Sequence, residues 1–374
     1  MISRRLLCFL IAFALAGCGG SVTPGSNLAN LSDAGRHAPA SANFTYYAIT
    51  FCCSLVTGIA NGPDTNVWMT GLVDANNYPH DAITVMVTSG SGIGSYHQYD
   101  TPQFVSGGTY TSVGITSDGT NLWFAANGTS LSAGAYIAQV STNGTFGTSY
   151  ALPANSYSNA IATGPGNSVW FAGGNTSNGA IVGTIRRGKI VTYSTKTGFA
   201  YNKDITLGPD GNMWYLSGTA PYVVGRVTPK GRITKFKLPT SYTKNFSGES
   251  HLVSANGALW VTLPGISAIA QVTTTGSMTL YAQAAGAQSG PAWAAVSGNT
   301  IYFADLGFTI KGKTVNQNTL ETFDTTSNTY GPILQLVDPT FGAPGPRQPL
   351  TINGGHVWFG SADSANNTSG LGDY

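Results

Sequence analysis

One short motif recurs seven times along this chain of 374 residues: an apolar, strand-like segment centred on an aromatic residue. The seven centres are Trp68, Trp123, Trp170, Trp214, Trp260, Tyr302 and Trp358. Successive centres lie 42 to 56 residues apart, and no break in composition interrupts residues 44–374. A repeat of this length is one supersecondary unit, whose apolar faces are covered only when the copies stack on one another. The chain is therefore expected to fold as a repeat architecture.

Each copy of the motif predicts four strands. An apolar segment and a Gly/Asn/Asp turn precede every aromatic centre, which indicates a β-hairpin. The fourth copy adds two alternating segments, Val223 to Val227 and Ile233 to Lys237, around a turn at Pro229-Lys230-Gly231. Charged residues make up 9% of the chain, which is too few for a coiled coil or a disordered protein.

Seven four-stranded units can close into a ring that leaves no terminal face exposed, so the sequence predicts an all-β, seven-bladed β-propeller. The last unit is incomplete, because the chain after Trp358 offers only a short polar segment. The apolar segment from Phe44 to Phe51 precedes the first unit and has no partner there. We expect this segment to form the outer strand of the last blade and to close the propeller domain, residues 44–374.

The N-terminus predicts export. Residues 1–17 have a basic start and an uncharged apolar run from Leu6 to Ala16, which is shorter than the roughly 20 residues of a transmembrane helix. Leu15-Ala16-Gly17-Cys18 resembles the lipobox of bacterial lipoproteins, with Cys18 as the lipidated residue; an ordinary signal with Cys18 incidental is the alternative. Residues 18–43 are rich in small and polar residues and predict a flexible tether. We expect a protein that is lipid-anchored to the cell envelope, in the periplasm or at the cell surface.

Two of the four cysteines, Cys52 and Cys53, would remain as thiols, since Cys8 leaves with the signal and Cys18 is the lipid site. Neighbouring side chains on a strand point to opposite faces, so we expect one buried thiol and one that faces away. A vicinal disulfide, which closes only a strained ring, is the alternative.

The fourth unit reads DITLGPDGNMWY from Asp204 to Tyr215 and GRVTPKGRITKF from Gly225 to Phe236. This pattern resembles the blade signature of the streptogramin B lyase (virginiamycin B lyase) family of seven-bladed propellers. The resemblance implies ring opening of a cyclic peptide antibiotic by elimination, at a site of two His and two Glu around Mg²⁺. By the same resemblance, Glu249 and His251 match the family's Glu-x-His pair, which makes them candidate catalytic residues and Glu249 a tentative metal ligand.

Other positions depart from the family pattern. Lys203 and Asp204 stand where the preceding blade should supply a His, and Leu263-Pro264 stand where the second Glu should follow. An ammonium near a metal position repels the cation. These departures favour a protein that is not an enzyme.

Residues just ahead of the inner strands line one mouth of the central channel, because the chain enters every blade from the same side of the disc. Aromatic residues with a few polar groups are typical of a concave ligand site. The predicted ligand-binding residues are Tyr110, Tyr157, Tyr201, Lys203, Trp293 and Arg347. In the alternative, the tyrosines pack between neighbouring blades and Glu249 pairs with Lys203.

The charges are unevenly distributed. Eleven of the 17 basic residues lie between Arg186 and Lys244 against two acidic residues, Asp204 and Asp210, a local balance of +9. Such a patch attracts an anionic envelope polymer or phospholipid surface, or else it is a solvated face that keeps an edge strand from pairing with another molecule. The formal net charge of the whole chain is +2, which does not indicate binding to nucleic acid.

Two functions follow from the sequence. The first is a ligand-binding or interaction scaffold of the cell envelope, whose channel mouth takes a small molecule, an envelope polysaccharide or a protein. The alternative is a Mg²⁺-dependent carbon–oxygen lyase, for streptogramin-type ring opening or polyuronate elimination. In both cases the chain is expected to be a monomer that contacts the membrane through its lipid anchor.

Overall fold

The computed structural model describes residues 40–49, 51–75, 78–102, 104, 110–129, 134–195, 201–244, 246, 249–285, 287–310, 313–337, 347–363 and 368–374. Their strands form seven sheets that surround a common axis, and the first strands of neighbouring blades contact one another around the whole ring. The fold is a seven-bladed β-propeller, as predicted. The predicted signal, tether and lipid site Cys18 lie outside the described residues, except for the end of the tether.

Two strands precede the first blade: β1 (Ala40–Asn43) and β2 (Thr45–Ile49). Blades 1 to 3 then follow in chain order, each with its first strand innermost. Blade 1 has β3 (Phe51–Asn61), β4 (Val67–Ala75), β5 (Tyr78–Met86) and β6 (Tyr96–Asp100); blade 2 has β7 (Tyr110–Ser117), β8 (Leu122–Gly128), β9 (Ala135–Val140) and β10 (Phe146–Ala151); blade 3 has β11 (Ser156–Thr163), β12 (Val169–Asn175), β13 (Gly179–Arg186) and β14 (Lys189–Ser194).

Blades 4 and 5 keep the same plan, and blades 6 and 7 modify it. Blade 4 has β15 (Asn202–Leu207), β16 (Met213–Ser217), β17 (Val223–Val227) and β18 (Ile233–Lys237); blade 5 has β19 (Leu252–Ala255), β20 (Ala258–Leu263), β21 (Ala268–Val272) and β22 (Met278–Ala282). Blade 6 has β23 (Pro291–Ser297), β24 (Thr300–Ile310), β25 (Lys313–Asp324), β26 (Thr329–Tyr330) and β27 (Leu334–Val337), and blade 7 has β28 (Arg347–Asn353), β29 (His356–Asp363) and β30 (Thr368–Asp373). Single turns of 3-10 helix occur at Gly90–Gly92, Pro165–Asn167 and Pro264–Ile266. Within the described residues, no helix has the length and hydropathy to cross a membrane.

The ring closes through β2, which pairs antiparallel with β30 as the fourth strand of blade 7. Tyr47 of β2 stacks on Trp358, the central aromatic of that blade, with ring centroids 5.8 Å apart. Blades 1 to 4 make the same stack within one blade, for example Trp214 on Phe236 at 5.5 Å. The closing strand thus supplies the aromatic that other blades take from their own fourth strand.

Two boundaries differ from the sequence predictions. Phe51 does not belong to the closing strand, because β2 ends at Ile49 and Phe51 begins the inner strand of blade 1. The last four residues of the predicted tether, Ala40–Asn43, form β1, which pairs in parallel with β27 at the outer edge of blade 6. These residues lack an apolar pattern, and β1 forms because β27 presents an edge with unpaired backbone groups.

The described core residues fall into seven clusters, each between two neighbouring blades. One cluster joins Trp214 of blade 4 to Leu259 and Val261 of blade 5, and another joins Trp358 of blade 7 to Val67 and Met69 of blade 1. Every blade buries both faces against its neighbours, which is the reason that one copy of the repeat is not stable alone.

Candidate functional site

The inner strands carry β-bulges close to the channel mouth. The pairing register shifts between Ser158 and Ala160 in β11, between Asn202 and Asp204 in β15, and between Pro291 and Ala294 in β23. A bulge interrupts the regular alternation of a strand and re-aims a side chain. The repeat therefore places a redirected residue at the same depth of several blades.

One position near the start of each inner strand, which we call the mouth position, directly precedes the residue that pairs with the one after the central aromatic. In the first six blades the mouth position holds Gly58, Gly114, Ala160, Asp204, His251 and Trp293. Blades 1 to 3 have small residues there, whereas blades 4 to 6 have an acid, an imidazole and an indole. The mouth positions with acidic, imidazole or indole side chains therefore lie on one side of the channel axis, beside blades 4 to 6.

Asp204 links blade 4 to blade 5. Its carboxylate is buried and accepts the backbone N–H of Ile205 at 2.8 Å and that of Leu252, at the start of β19, at 2.6 Å. Hydrogen bonds from backbone N–H groups to a carboxylate are charge-assisted and strong. Asp204 is thus a structural acceptor that positions the first residues of blade 5.

His251 stands between Asp204 and the channel. Its Nδ1 lies 3.6 Å from Oδ2 of Asp204, and its side chain is 37% exposed. The backbone is fixed by Thr262, whose Oγ1 accepts the His251 N–H at 2.7 Å and whose N–H donates to the His251 carbonyl at 3.0 Å. Thr262 was not predicted as a site residue, although its place two residues after Trp260 marks it as the partner of the mouth position.

Glu249 is engaged by blade 6. The indole Nε1–H of Trp293 donates to Oε2 of Glu249 at 3.1 Å, so two of the predicted site residues meet across a blade boundary. Burial lowers the pKa of Lys203 to about 8, and the nearby carboxylates of Asp204 and Glu249 oppose that shift. The pairing of Lys203 with Glu249 that the alternative described stays a prediction.

Tyr157 and Tyr201 extend the site toward blade 3. The Tyr201 ring lies over Gly218, and the Tyr157 ring lies over Gly174. Burial, with smaller effects from Tyr222 and Glu249, raises the pKa of Tyr201. Burial and the neighbouring Tyr201 raise that of Tyr157. Tyr157, Tyr201, Glu249 and Trp293 therefore form a row of contacting or interacting groups across blades 3 to 6.

Tyr110, another of the predicted ligand-binding residues, is not in this row. Tyr110 is 5% exposed and packs on Tyr136 with ring centroids 5.1 Å apart, inside the cluster between blades 1 and 2. That prediction was wrong, because an aromatic at the start of an inner strand also fits between neighbouring blades. Arg347 begins β28, but its side chain is outside the described part of the structure, as are the side chains of Cys52 and Cys53.

The described residues do not fit a magnesium site. They contain no group of three or more His, Cys, Asp or Glu side chains that could hold a metal ion. Glu249, the tentative metal ligand, accepts the Trp293 N–H and lies near the Lys203 ammonium, while Asp204 already accepts two backbone N–H groups. A second carboxylate of the kind that Mg²⁺ prefers is not offered by these residues.

Sequence reasoning missed a second polar cluster, in blade 6 beside blade 5. Asp305 and Glu321 are 0% and 2% exposed, and the Ser289 hydroxyl lies 2.8 Å from a carboxyl oxygen of each. Thr319 donates to Asp305 at 2.6 Å, and the Gln283 amide donates to Glu321. Burial raises the pKa of both carboxyl groups. The available signal was an acidic residue within each of two apolar strands, Phe303 to Leu306 and Leu320 to Phe323.

Comparisons with known proteins identify relatives of the whole propeller. A sequence profile of the virginiamycin B lyase family matches residues 42–333. No curated protein sequence matches the chain.

Three solved structures share the fold over most of both chains. A streptogramin B lyase structure is 22% identical, with a TM-score of 0.62, and covers 88% of this chain and 96% of that one. Virginiamycin B lyase from Staphylococcus aureus is 20% identical, with a TM-score of 0.62 and coverages of 89% and 99%. A catalytically inactive variant of the S. aureus enzyme with quinupristin is 21% identical, with a TM-score of 0.60 and coverages of 89% and 100%.

Proposed function

This chain belongs to the virginiamycin B lyase family, and from that membership we propose that it is a ligand-binding propeller that holds a small molecule at the mouth beside blades 4 to 6. Fold alone does not determine an activity, so the proposal rests on the residues of the mouth. Membership of this propeller family does not depend on which ligand the chain binds.

The observation that carries the proposal is how the carboxylates of the mouth are used. Glu249 accepts the Trp293 N–H at 3.1 Å, and Asp204 accepts the Leu252 N–H at 2.6 Å. Both interact with Lys203. Carboxylates that accept N–H groups in this way hold neighbouring side chains and backbone in place. Metal-dependent elimination instead needs carboxylates directed at a cation. The arrangement favours binding over catalysis.

The row of Tyr157, Tyr201 and Trp293 indicates the ligand class. Aromatic rings give large contact areas at a low entropic cost, and Lys203 and His251 add hydrogen-bonding groups from blades 4 and 5. We propose a compact ligand with apolar or ring-shaped groups and at least one carbonyl or hydroxyl, such as a cyclic peptide or a glycan fragment. A protein loop with the same groups could occupy the mouth in an interaction scaffold.

Calorimetric titration tests the proposal. The probes are quinupristin, which one structural neighbour contains, and oligosaccharides from the cell envelope, each titrated in the presence of a chelator. We expect saturable binding by at least one probe that Tyr201→Ala and Trp293→Ala each weaken about tenfold or more. Tyr96→Ala is the matched control, since Tyr96 is exposed on the outer strand of blade 1. Binding that both mouth variants leave unchanged would refute the assignment.

One observation favours a second candidate, a carbon–oxygen lyase. The Nδ1 of His251 lies 3.6 Å from the buried carboxylate of Asp204, beyond hydrogen-bond distance, and a carboxylate that closed to hydrogen-bond distance would orient the imidazole for proton abstraction. In this case His251 would remove the proton from carbon and the ester oxygen would leave, with no step assigned to a metal. Ring opening of the probe that His251→Ala abolishes and Tyr96→Ala retains would favour this candidate.

The location of the protein is a separate proposal. We propose export and lipidation at Cys18, on the strength of the apolar run that precedes it and of the lipobox-like Leu15-Ala16-Gly17-Cys18. We expect Cys18→Ser to move the chain from the membrane fraction to the soluble fraction and to prevent the incorporation of labelled fatty acid. Cys8→Ser, within the predicted signal, is the control. Labelling that persists in the Cys18→Ser variant would exclude this anchor.

A further inference from the structure

A group of basic side chains lies on the turns between the third and fourth strands of blades 3 and 4. We name these residues the basic face: Arg186, Arg187, Lys189, Lys230 and Arg232, all of them exposed. The chain between Arg186 and Lys244 contains two acidic residues. Asp204 is buried, and Asp210 pairs with Arg226 at 3.4 Å. Neither neutralises the basic face.

The two basic turns form one surface. The β17–β18 turn of blade 4 contains Gly231, whose φ is +87°. A Cβ atom at Gly231 would lie 2.2 Å from the Tyr193 ring of β14, so the turn rests on the outer strand of blade 3. Lys230 and Arg232 are therefore held beside the blade that carries Arg186 and Lys189. The corresponding turns of blades 2 and 5, Ser141 to Thr145 and Thr273 to Ser277, contain no charged residue.

The basic face is on the side of the disc opposite the mouth. Every inner strand runs away from the mouth, and the strands of a blade are antiparallel, so the turns between third and fourth strands lie at the far end.

We propose that the basic face docks on an anionic phospholipid surface. Lys and Arg near such a surface are each worth about 1 kcal/mol, so five exposed cations on two adjacent turns give substantial attraction. The side chains project from turns on a disc face instead of lining a groove, which suits a flat surface better than a polymer chain. A docked disc would direct the mouth, and any ligand site there, away from the membrane.

Vesicle sedimentation tests the docking without the anchor. The full chain carrying Cys18→Ser is mixed with vesicles of phosphatidylcholine alone or with added phosphatidylglycerol, and the ratio of the two partition coefficients is measured. The triple variant Arg186→Gln, Lys189→Gln, Lys230→Gln is compared with the control triple Lys235→Gln, Lys237→Gln, Lys244→Gln, which removes equal charge from the outer strand of blade 4 and from a loop on the mouth side. Residues 1–39 are common to all proteins, so their contribution cancels in the comparison.

We expect the first triple variant to lower the ratio by roughly 100-fold and the control triple to lower it much less, because attraction falls off within a Debye length of the surface. Added salt should reduce the ratio of the unmutated chain. An equal reduction of the ratio in both triple variants, or no preference of the unmutated chain for anionic vesicles, would overturn the proposal. A charge-dependent binding to dextran sulfate in place of vesicles would also overturn it and would identify a polymer as the partner. Thermal unfolding at the same temperature in all three proteins confirms that the variants are folded.

Discussion

His251 and Asp204 occupy the same position of the inner strand in two neighbouring blades, and Nδ1 of His251 lies 3.6 Å from Oδ2 of Asp204. The repeat brings these residues together because neighbouring inner strands stand side by side at the mouth. Trp293 holds the equivalent position in blade 6, and its indole donates to Glu249 at 3.1 Å. Consecutive copies of one motif have thus acquired different chemical groups at one geometric place, and together they form the candidate site.

The first prediction concerns Asp204 as the link between blades 4 and 5. Asp204→Ala leaves the Leu252 N–H, which now donates at 2.6 Å, without its acceptor. The cost of a buried unsatisfied group predicts a loss of about 2–3 kcal/mol in the free energy of unfolding, measured by urea denaturation. Asp100→Ala, at an exposed residue of β6, should change it by less than about 0.5 kcal/mol. Similar losses in the two variants would contradict the structural role of Asp204.

The second prediction concerns the pH dependence of stability. Burial raises the pKa of Asp305 and of Glu321, so the folded chain holds protons that the unfolded chain releases above about pH 4. The contribution of this pair to stability is therefore greatest in acid and is lost as the pH rises through the folded pKa values. We expect Glu321→Gln to flatten this fall in urea denaturation curves collected from pH 5 to pH 9.

The control for this experiment is Asp324→Asn in the same strand. Hydrogen bonds from the backbone N–H groups of Ser327 and Thr326 lower the pKa of Asp324, so its contribution is lost only in acid. The decrease in the free energy of unfolding toward alkaline pH should persist in Asp324→Asn. If this decrease persists equally in Glu321→Gln, the buried pair is not its source. Tyr330 also faces the pair, and its pKa is raised by burial and by Glu321.

The third prediction concerns Lys203. Its pKa is lowered to about 8 by burial, so the folded chain binds fewer protons here than the unfolded chain and this group makes stability rise above pH 8. Reductive methylation with ¹³C-labelled formaldehyde should give a resonance that titrates near pH 8 and that, unlike the resonance of a methylated N-terminal amine, is missing in Lys203→Arg. Because Glu249 supports the charged form, Glu249→Gln should lower that pKa further. Titration near the ordinary value of 10.5 would show that Lys203 is not desolvated.

The fourth prediction concerns the closure of the ring. Tyr47→Ala removes the stack on Trp358 and should destabilise the protein by about 1–3 kcal/mol, as an aromatic pair and its buried area predict. The effect should be local, so amide hydrogen exchange should accelerate in Thr45–Ile49 more than in the outer strand of blade 3. Tyr193→Ala, which removes the equivalent stack on Trp170, is the matched control and should reverse that order. Uniform acceleration in both variants would mean that β2 is not the seam.

The fold was predictable because its signal is repeated. Each blade has a central aromatic residue that lies 42 to 56 residues from the next, and β17 and β18 run over the residues that the fourth copy predicted. The strand β1 was missed because Ala40–Asn43 has no apolar pattern and gains its pairing from the edge of blade 6.

The site was predictable only in part. Proximity to the start of an inner strand pointed to Lys203, Glu249, His251 and Trp293. The same criterion could not distinguish Tyr157, which lies at the mouth, from Tyr110, which packs between two blades. The use of a carboxylate is also a tertiary property: that Asp204 accepts the Leu252 N–H, and that Glu249 accepts from Trp293, depends on the distance between strands of different blades. Sequence spacing within one repeat contains no such distance.

The most direct test of the ligand-binding account is equilibrium dialysis of whichever probe binds in the calorimetric titration against the purified full chain with Mg²⁺, followed by chromatography of the recovered probe. The account predicts that the probe is retained and recovered without cleavage, to the same extent when a chelator replaces Mg²⁺, and that Trp293→Ala weakens the retention. Recovery of a ring-opened product that requires Mg²⁺ and that His251→Ala abolishes would contradict it.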